Sequence, residues 1–137
     1  MTLEALRCVP LFASLDDTAA GELRALLRSR PASRGTQLFR KGDFGDAMYL
    51  IESGRVRITI HDQDGTEVTL AELGHGDFFG EMALIDGRQR SADATVVEEA
   101  QLAVLSREAF LSFISTPDAA LEMLAALTDR LRRTDEL

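Results

Sequence analysis

The chain has 137 residues, 45% of them hydrophobic, which is enough for one globular domain with a sizeable core. Its 15 basic and 23 acidic residues give a net charge of −8, which disfavours general binding to nucleic acid or to an anionic membrane. It contains no apolar run of about 18 residues, so no membrane span is expected. Residues 1–10 include Glu4 and lack a long apolar core, so we expect no signal peptide.

Cysteine and lysine each occur once, as Cys8 and Lys41. A single thiol forms no internal disulfide and fits a reducing compartment, so we expect a cytoplasmic location. The remaining basic residues are arginines, a composition typical of a GC-rich bacterial genome.

Residues 1–30 predict a helical lead-in. Residues 3–12 are apolar and are interrupted by Pro10, and Ser14 or Asp16 can cap the helix that follows. Apolar residues then recur at helical spacing through about Arg30 and predict core packing: Leu15, Ala19, Leu23, Leu26 and Leu27.

Residues 31–106 change to short alternating segments separated by turn residues, which predicts a β-jelly-roll. We expect strands at 48–52, 55–61, 67–73 and 101–105. Ser53-Gly54 is expected to be a turn, and Asp64-Gly65 predicts a hairpin.

Residues 107–137 become helical again. Ser106 can cap a helix over 107–115, Pro117 breaks it, and Asp118 begins a last helix. Residues along one side of this last helix recur at alternating four- and three-residue steps: Ala120, Leu124, Leu127, Leu131 and Thr134. Such a seam suits either a partner helix in a homodimer or the helix's own domain.

The stretch 78–96 has the features of an anion site inside this body, and its sequence is FFGEMALIDGRQRSADATV. Gly80 permits close approach of the backbone, and a short helical turn over residues 81–84 supplies free N–H groups. Arg90 and Ser91 add a guanidinium and a hydroxyl, which together match a singly charged phosphodiester. Glu81 would repel a phosphate, so we expect it to bind a sugar hydroxyl.

This stretch resembles the phosphate-binding cassette of cyclic nucleotide-binding domains, as found in catabolite-activator-type regulators, protein kinase A regulatory subunits and cyclic-nucleotide-gated channels. PLFASL from Pro10 resembles the family's lead-in helix, and FRKGDFGDAMYLIESGRVRI from Phe39 resembles its early strands. The resemblance implies one domain over residues 1–137. Its lead-in covers about 1–30, its jelly roll about 31–106 and its C-terminal helices about 107–137.

The resemblance also implies a role for each matching residue. Glu81 accepts a hydrogen bond from the ribose 2′-hydroxyl, Arg90 pairs with the cyclic phosphate, and Ser91 supports it. The other residues implied in the site supply backbone amides or apolar walls: Gly80, Met82, Ala83, Ala92, Ile58 and Leu70.

At the C-terminal end RLRRT, from Arg130, resembles the place where the catabolite-activator type contacts adenine. Thr134 is implied to hydrogen-bond the base and Arg130 to lie near it. Ser91 is the form common in cyclic AMP binders of the family, so cyclic AMP is the expected ligand and cyclic GMP the alternative. The catabolite-activator type continues into a helix-turn-helix. This sequence shows none after Leu137, so if it is complete we expect no DNA-binding domain.

We therefore expect a regulatory sensor domain with no enzymatic activity and no metal. His61 and His75, the only histidines, stand at separate turns and do not form the cluster that a metal-binding jelly roll needs. Two alternatives remain open: a ligand-independent dimeric scaffold for an unknown effector protein, or the sensor fragment of a longer regulator, kinase or channel.

Overall fold

The computed structural model describes residues 2–115, so the predicted last helix with Arg130 and Thr134 lies outside the described residues. The chain divides into a β unit, Arg28–Arg107, and a helical unit whose described parts are residues 2–27 and 108–115. The domain boundaries expected from the sequence stay a prediction. In chain order the elements are α1 (Leu3–Arg7), a 3-10 helix (Pro10–Phe12), α2 (Asp17–Leu26), β1 (Arg28–Ala32), β2 (Gln37–Phe39), β3 (Ala47–His61), β4 (Glu67–Leu73), β5 (Phe78–Phe79), α3 (Met82–Asp86), β6 (Asp93–Ser106) and α4 (Arg107–Ile114).

The helical unit begins as predicted, but α2 is shorter than expected. Of the two candidate caps Asp16 is used, because its carboxylate accepts from the Ala19 N–H at 2.8 Å. The prediction of helix through about Arg30 is wrong, since α2 ends at Leu26 and the next residues form β1, paired with β6. Arg30 precedes Pro31, and a residue before proline disfavours the helical conformation.

The β unit is an antiparallel sheet in which two long strands are central. β3 and β6 pair with each other; β1 and β2 pair with β6, and β4 and β5 pair with β3. This mainly β jelly roll, with helices before and after it in the chain, is the predicted fold class. The expected strand at 67–73 is present as β4.

The predicted turn at Ser53-Gly54 is wrong, because β3 runs through it as one strand of 15 residues. The pairing with β6 shifts register on both sides of Ser53 and again after Arg55, so the glycine lies in an irregular stretch of the strand. Gly54 has φ +90, and a Cβ there would lie 2.3 Å from the Glu99 carbonyl oxygen. The glycine therefore allows the backbones of β3 and β6 to approach each other closely.

The core of the β unit lies on the inward faces of β3 and β6. Its largest members are aliphatic and aromatic side chains. Buried residues recur at every second position at the start of β6, whereas the five residues that open β3, Ala47–Ile51, are all buried. The buried cluster consists of Ala32, Ala47, Tyr49, Ile51, Val56, Phe79, Ala94, Val96, Ala100 and Leu102. None of the helices in residues 2–115 has the length and hydropathy that a membrane-spanning helix needs.

Candidate nucleotide-binding site

A cleft of about 450 Å³ opens in the β unit, beside β5 and α3. The residues around it come mostly from the stretch 79–92, with two from β2 and β3. The lining residues are Phe39, Ile58, Phe79, Gly80, Glu81, Met82, Ala83, Asp86, Arg88, Gln89, Arg90, Ser91 and Ala92.

One wall is built by Gly80 and the short helix α3. Gly80 has φ +80, a conformation open to glycine, and its carbonyl oxygen accepts from the Ala83 N–H at 3.2 Å. Glu81 is the N-cap residue of α3, and its carboxylate makes no capping hydrogen bond. α3 ends at Asp86 and is followed by Gly87, the C-cap residue, whose φ of +62 is the left-handed conformation that terminates many helices.

Arg90 is the one charged residue among the described residues that is buried, with 7% of its surface exposed. Its Nη2 donates to the Ala47 carbonyl oxygen at 2.5 Å, and its Nη1 donates to the Gly80 carbonyl oxygen at 3.4 Å. The Asp46 carboxylate lies 3.8 Å from Nη2. Nε is buried and has no hydrogen-bond partner within residues 2–115. A buried N–H without an acceptor is rare in folded proteins, so Arg90 retains a donor that the described residues do not use.

Burial lowers the pKa of the Arg90 guanidinium, because a desolvated charge is disfavoured. Tyr49, Asp46 and Asp43 oppose this shift. Since an arginine titrates far above neutral pH, the group stays cationic, and the cleft holds a fixed positive charge in a protein of net charge −8.

The backbone around Arg90 is pinned to the loop before β3. The Arg90 N–H donates to the Asp43 carbonyl oxygen at 2.6 Å, and the Gly42 N–H donates to the Arg90 carbonyl oxygen at 2.8 Å. The Gly45 N–H donates to the Arg88 carbonyl oxygen at 2.9 Å. We call residues 42–47 the clasp. Its first residues bind the backbone of Arg88 and Arg90, and the carbonyl oxygen of its last residue, Ala47, binds the Arg90 guanidinium.

Three aromatic rings pack beneath the cleft. Tyr49 and Phe79 stack at 5.0 Å between centroids, and each lies 6.0 Å from Phe39. The Arg90 guanidinium carbon lies 4.1 Å from the centre of the Phe39 ring. Burial raises the pKa of the Tyr49 hydroxyl, so the ring cluster carries no negative charge near neutral pH.

The cleft brings together all of the cassette residues expected in the site. Gly80, Glu81, Met82, Ala83, Arg90, Ser91 and Ala92 line it, together with Ile58 from β3. Leu70, on β4, is 56% exposed and is not among the lining residues. Its contact with a ligand stays a prediction, as do the individual roles of the other residues. Arg130 and Thr134 lie outside the described residues.

Sequence reasoning missed Phe39. Its separation from Arg90 along the chain hides the contact between them, and the only sequence signal is an aromatic residue on a short strand. Within residues 2–115 no group of three or more His, Cys, Asp or Glu side chains is arranged to hold a metal ion.

Comparison with known proteins agrees with this geometry. The family model of the cyclic nucleotide-binding domain matches residues 29–116. The cyclic AMP receptor protein of Thermus thermophilus is 40% identical over 127 residues, which are 92% of this chain and 59% of that protein. The chain thus spans about three fifths of the length of that curated relative.

Solved structures show the same similarity. The N-terminal domain of a transcriptional regulator from Streptomyces coelicolor is 36% identical, with a TM-score of 0.89 over 96% of this chain and 93% of that chain. The regulatory domain of Toxoplasma gondii protein kinase A, solved with cAMP, is 32% identical, with a TM-score of 0.77 over 88% of this chain and 45% of that chain.

Proposed function

Because the chain belongs to the cyclic nucleotide-binding domain family, a regulatory family rather than a catalytic one, we propose that it is a sensor domain that binds cyclic AMP in the cleft beside α3. The observation that carries the proposal is the buried Arg90, whose Nε lacks a partner among residues 2–115. A phosphodiester supplies the acceptor oxygens that such a guanidinium needs.

The phosphate is the group that we assign to Arg90 and Ser91. The guanidinium donates through Nε and a free Nη hydrogen to an exocyclic oxygen, and Ser91, exposed at the cleft, donates its hydroxyl. The amides of Met82, Ala83 and Ala92 complete the cradle. No metal is needed, because the single negative charge of the cyclic phosphate is balanced by the single positive charge of the Arg90 side chain.

The ribose is the group that we assign to Glu81. Its half-buried carboxylate lines the cleft and accepts from the 2′-hydroxyl, which keeps it away from the phosphate. Ile58 supplies an apolar surface for the sugar and base. We propose cyclic AMP over cyclic GMP because Ser91 matches the residue common in cyclic AMP binders, and because relatives named for cyclic AMP are similar over most of this chain.

Regulation is proposed to pass through the C-terminal segment. Thr134 and Arg130 contact the base, and the last helix closes over the nucleotide or pairs with a second copy of the chain. Ligand can shift this helix only if its affinity differs between the two arrangements. A separate effector, in the cytoplasm, then reads the helix position.

Isothermal titration calorimetry with cyclic AMP and cyclic GMP tests the proposal. We expect cyclic AMP to bind more tightly. Cyclic GMP binding at least tenfold more tightly, about 1.4 kcal/mol, would reverse the choice of nucleotide. No binding of either nucleotide at about 1 mM, a threshold near −4.1 kcal/mol, would refute the sensor function and favour the ligand-independent scaffold.

A further inference from the structure

We propose that Phe39 is a positioning residue for nucleotide binding: its ring holds the Arg90 guanidinium by a cation–π contact and orients the free donors of Arg90 toward the phosphate. This inference rests on the proposed function. Phe39 lies in β2, on the floor of the cleft, and is distant in sequence from the cassette.

The guanidinium is restrained by different contacts on its edges and on one face. Two of its five N–H bonds donate to the Ala47 and Gly80 carbonyl oxygens, and the Phe39 ring lies 4.1 Å from the guanidinium carbon. Three N–H bonds remain, including the buried Nε–H. A bidentate grip on phosphate uses Nε and one Nη together, so it depends on the plane in which the guanidinium is held.

The ring is itself held in place, which makes it a rigid platform. Tyr49 and Phe79 each lie 6.0 Å from Phe39 between centroids and stack on each other. An aliphatic side chain of similar size at position 39 would fill the space and lack the negative face that attracts the cation. The Ala47 carbonyl oxygen, 2.5 Å from Nη2, holds one edge of the guanidinium, and the Gly80 carbonyl oxygen, 3.4 Å from Nη1, is a weak second contact, so the ring adds the restraint on the face.

The test compares three full-length variants by calorimetry with cyclic AMP. Phe39→Leu is expected to weaken binding by about 5- to 30-fold, because the guanidinium then samples other planes and must be reoriented on binding; the energy of a cation–π contact limits this loss. Phe39→Tyr keeps the ring and is expected to bind like wild type. Phe78→Leu is the matched control, because Phe78 is also half-buried, lies on β5 and does not line the cleft.

Nuclear magnetic resonance of the ligand-free protein checks the contact itself in solution, and the fluorinated series described below distinguishes its electrostatic role from packing. The Arg90 side-chain protons are expected upfield, in the ring current of Phe39, in wild type and Phe39→Tyr and not in Phe39→Leu. If Phe39→Leu does not fold, phenylalanines with increasing fluorination at position 39 replace it, since fluorine weakens the negative face of the ring at nearly constant shape. Affinity is then expected to fall stepwise with fluorination.

The possible outcomes distinguish the role of Phe39 from the proposed sensor function. Cyclic AMP binding by wild type together with unchanged affinity of Phe39→Leu, or of the fluorinated series, would overturn the role of Phe39 and leave the sensor function standing. Equal weakening by Phe39→Leu and Phe78→Leu would also overturn it. Absence of binding to wild type overturns the sensor function and this inference with it.

Discussion

Gly80→Ala tests whether the position of Arg90 controls ligand affinity. A Cβ at this glycine would lie 2.7 Å from Arg90 Nη1 and 3.2 Å from the Ala47 carbonyl oxygen, so the guanidinium must shift by roughly half an ångström or more. A charge-assisted hydrogen bond contributes about 1.5–3 kcal/mol, and partial loss of it predicts binding that is weaker by about tenfold, or about 1.4 kcal/mol.

The matched control is Gly65→Ala, in the hairpin between β3 and β4. Gly65 has the same φ of +80 as Gly80, and a Cβ there would meet nothing within 4 Å. Both variants should lose about 1–2 kcal/mol of unfolding free energy from the left-handed backbone, measured by chemical denaturation. Only Gly80→Ala should weaken cyclic AMP binding in calorimetry. Wild-type affinity in Gly80→Ala would refute the reasoning, because the displaced guanidinium would then not matter.

Four further predictions concern the same β unit. Arg90→Ala should cost about 1.5–3 kcal/mol of binding, and Arg90→Lys should also weaken it in calorimetry, since an ammonium cannot reproduce the guanidinium fork; wild-type affinity of Arg90→Ala would place the ligand elsewhere. Glu81→Gln should weaken binding of cyclic AMP less than Arg90→Ala does. The 2′-deoxy analogue should bind Glu81→Gln and wild type with equal affinity, and a difference between them would contradict the assignment of Glu81 to the 2′-hydroxyl. Gly54→Ala should lower the denaturation midpoint more than Gly35→Ala. The two glycines have nearly the same φ, +90 and +92, but only at Gly54 would a Cβ lie 2.3 Å from a backbone oxygen of β6. Equal losses of stability in the two variants would contradict this prediction. Above about pH 10 the free energy of unfolding should fall, because the single tyrosine, Tyr49, ionises at a lower pH in the unfolded chain than in the folded one. Tyr49→Phe should remove this part of the decrease, measured by chemical denaturation at a series of pH values.

That the cassette residues line one cleft was predictable because they are close together in sequence. Gly80, Glu81, Arg90 and Ser91 lie within one short stretch, and a glycine, a helical turn and a guanidinium in that order have few other uses. The same holds for β4, where the hairpin signal at Asp64-Gly65 and the alternation of side chains agree with each other.

The errors arose where a distant strand decides the local structure. Gly54 has the signature of a turn in sequence, and only the approach of β6 shows that the glycine serves close strand packing. The continuation of the apolar stripe beyond Leu26 favoured helix, and pairing of Arg28–Ala32 with β6 overrode it. Phe39 acquires its contact with Arg90 only through the folding of β2 onto β6, which periodicity does not encode.

The close packing of the clasp against the cassette limits how the sequence can vary during evolution and how the domain can be engineered. A Cβ at Gly45 would lie 2.3 Å from the Ala83 Cβ and 2.9 Å from the Arg88 carbonyl oxygen, so these two parts of the chain share one small space. Glycine is already the smallest residue and the Arg88 oxygen belongs to the backbone, so no side-chain exchange in the cassette makes room for a side chain at position 45. Gly45 should therefore be kept together with a small residue at position 83 among descendants of this domain. A chimera that receives a foreign cassette should accordingly receive the matching residues 42–47 as well, as one transplanted pair.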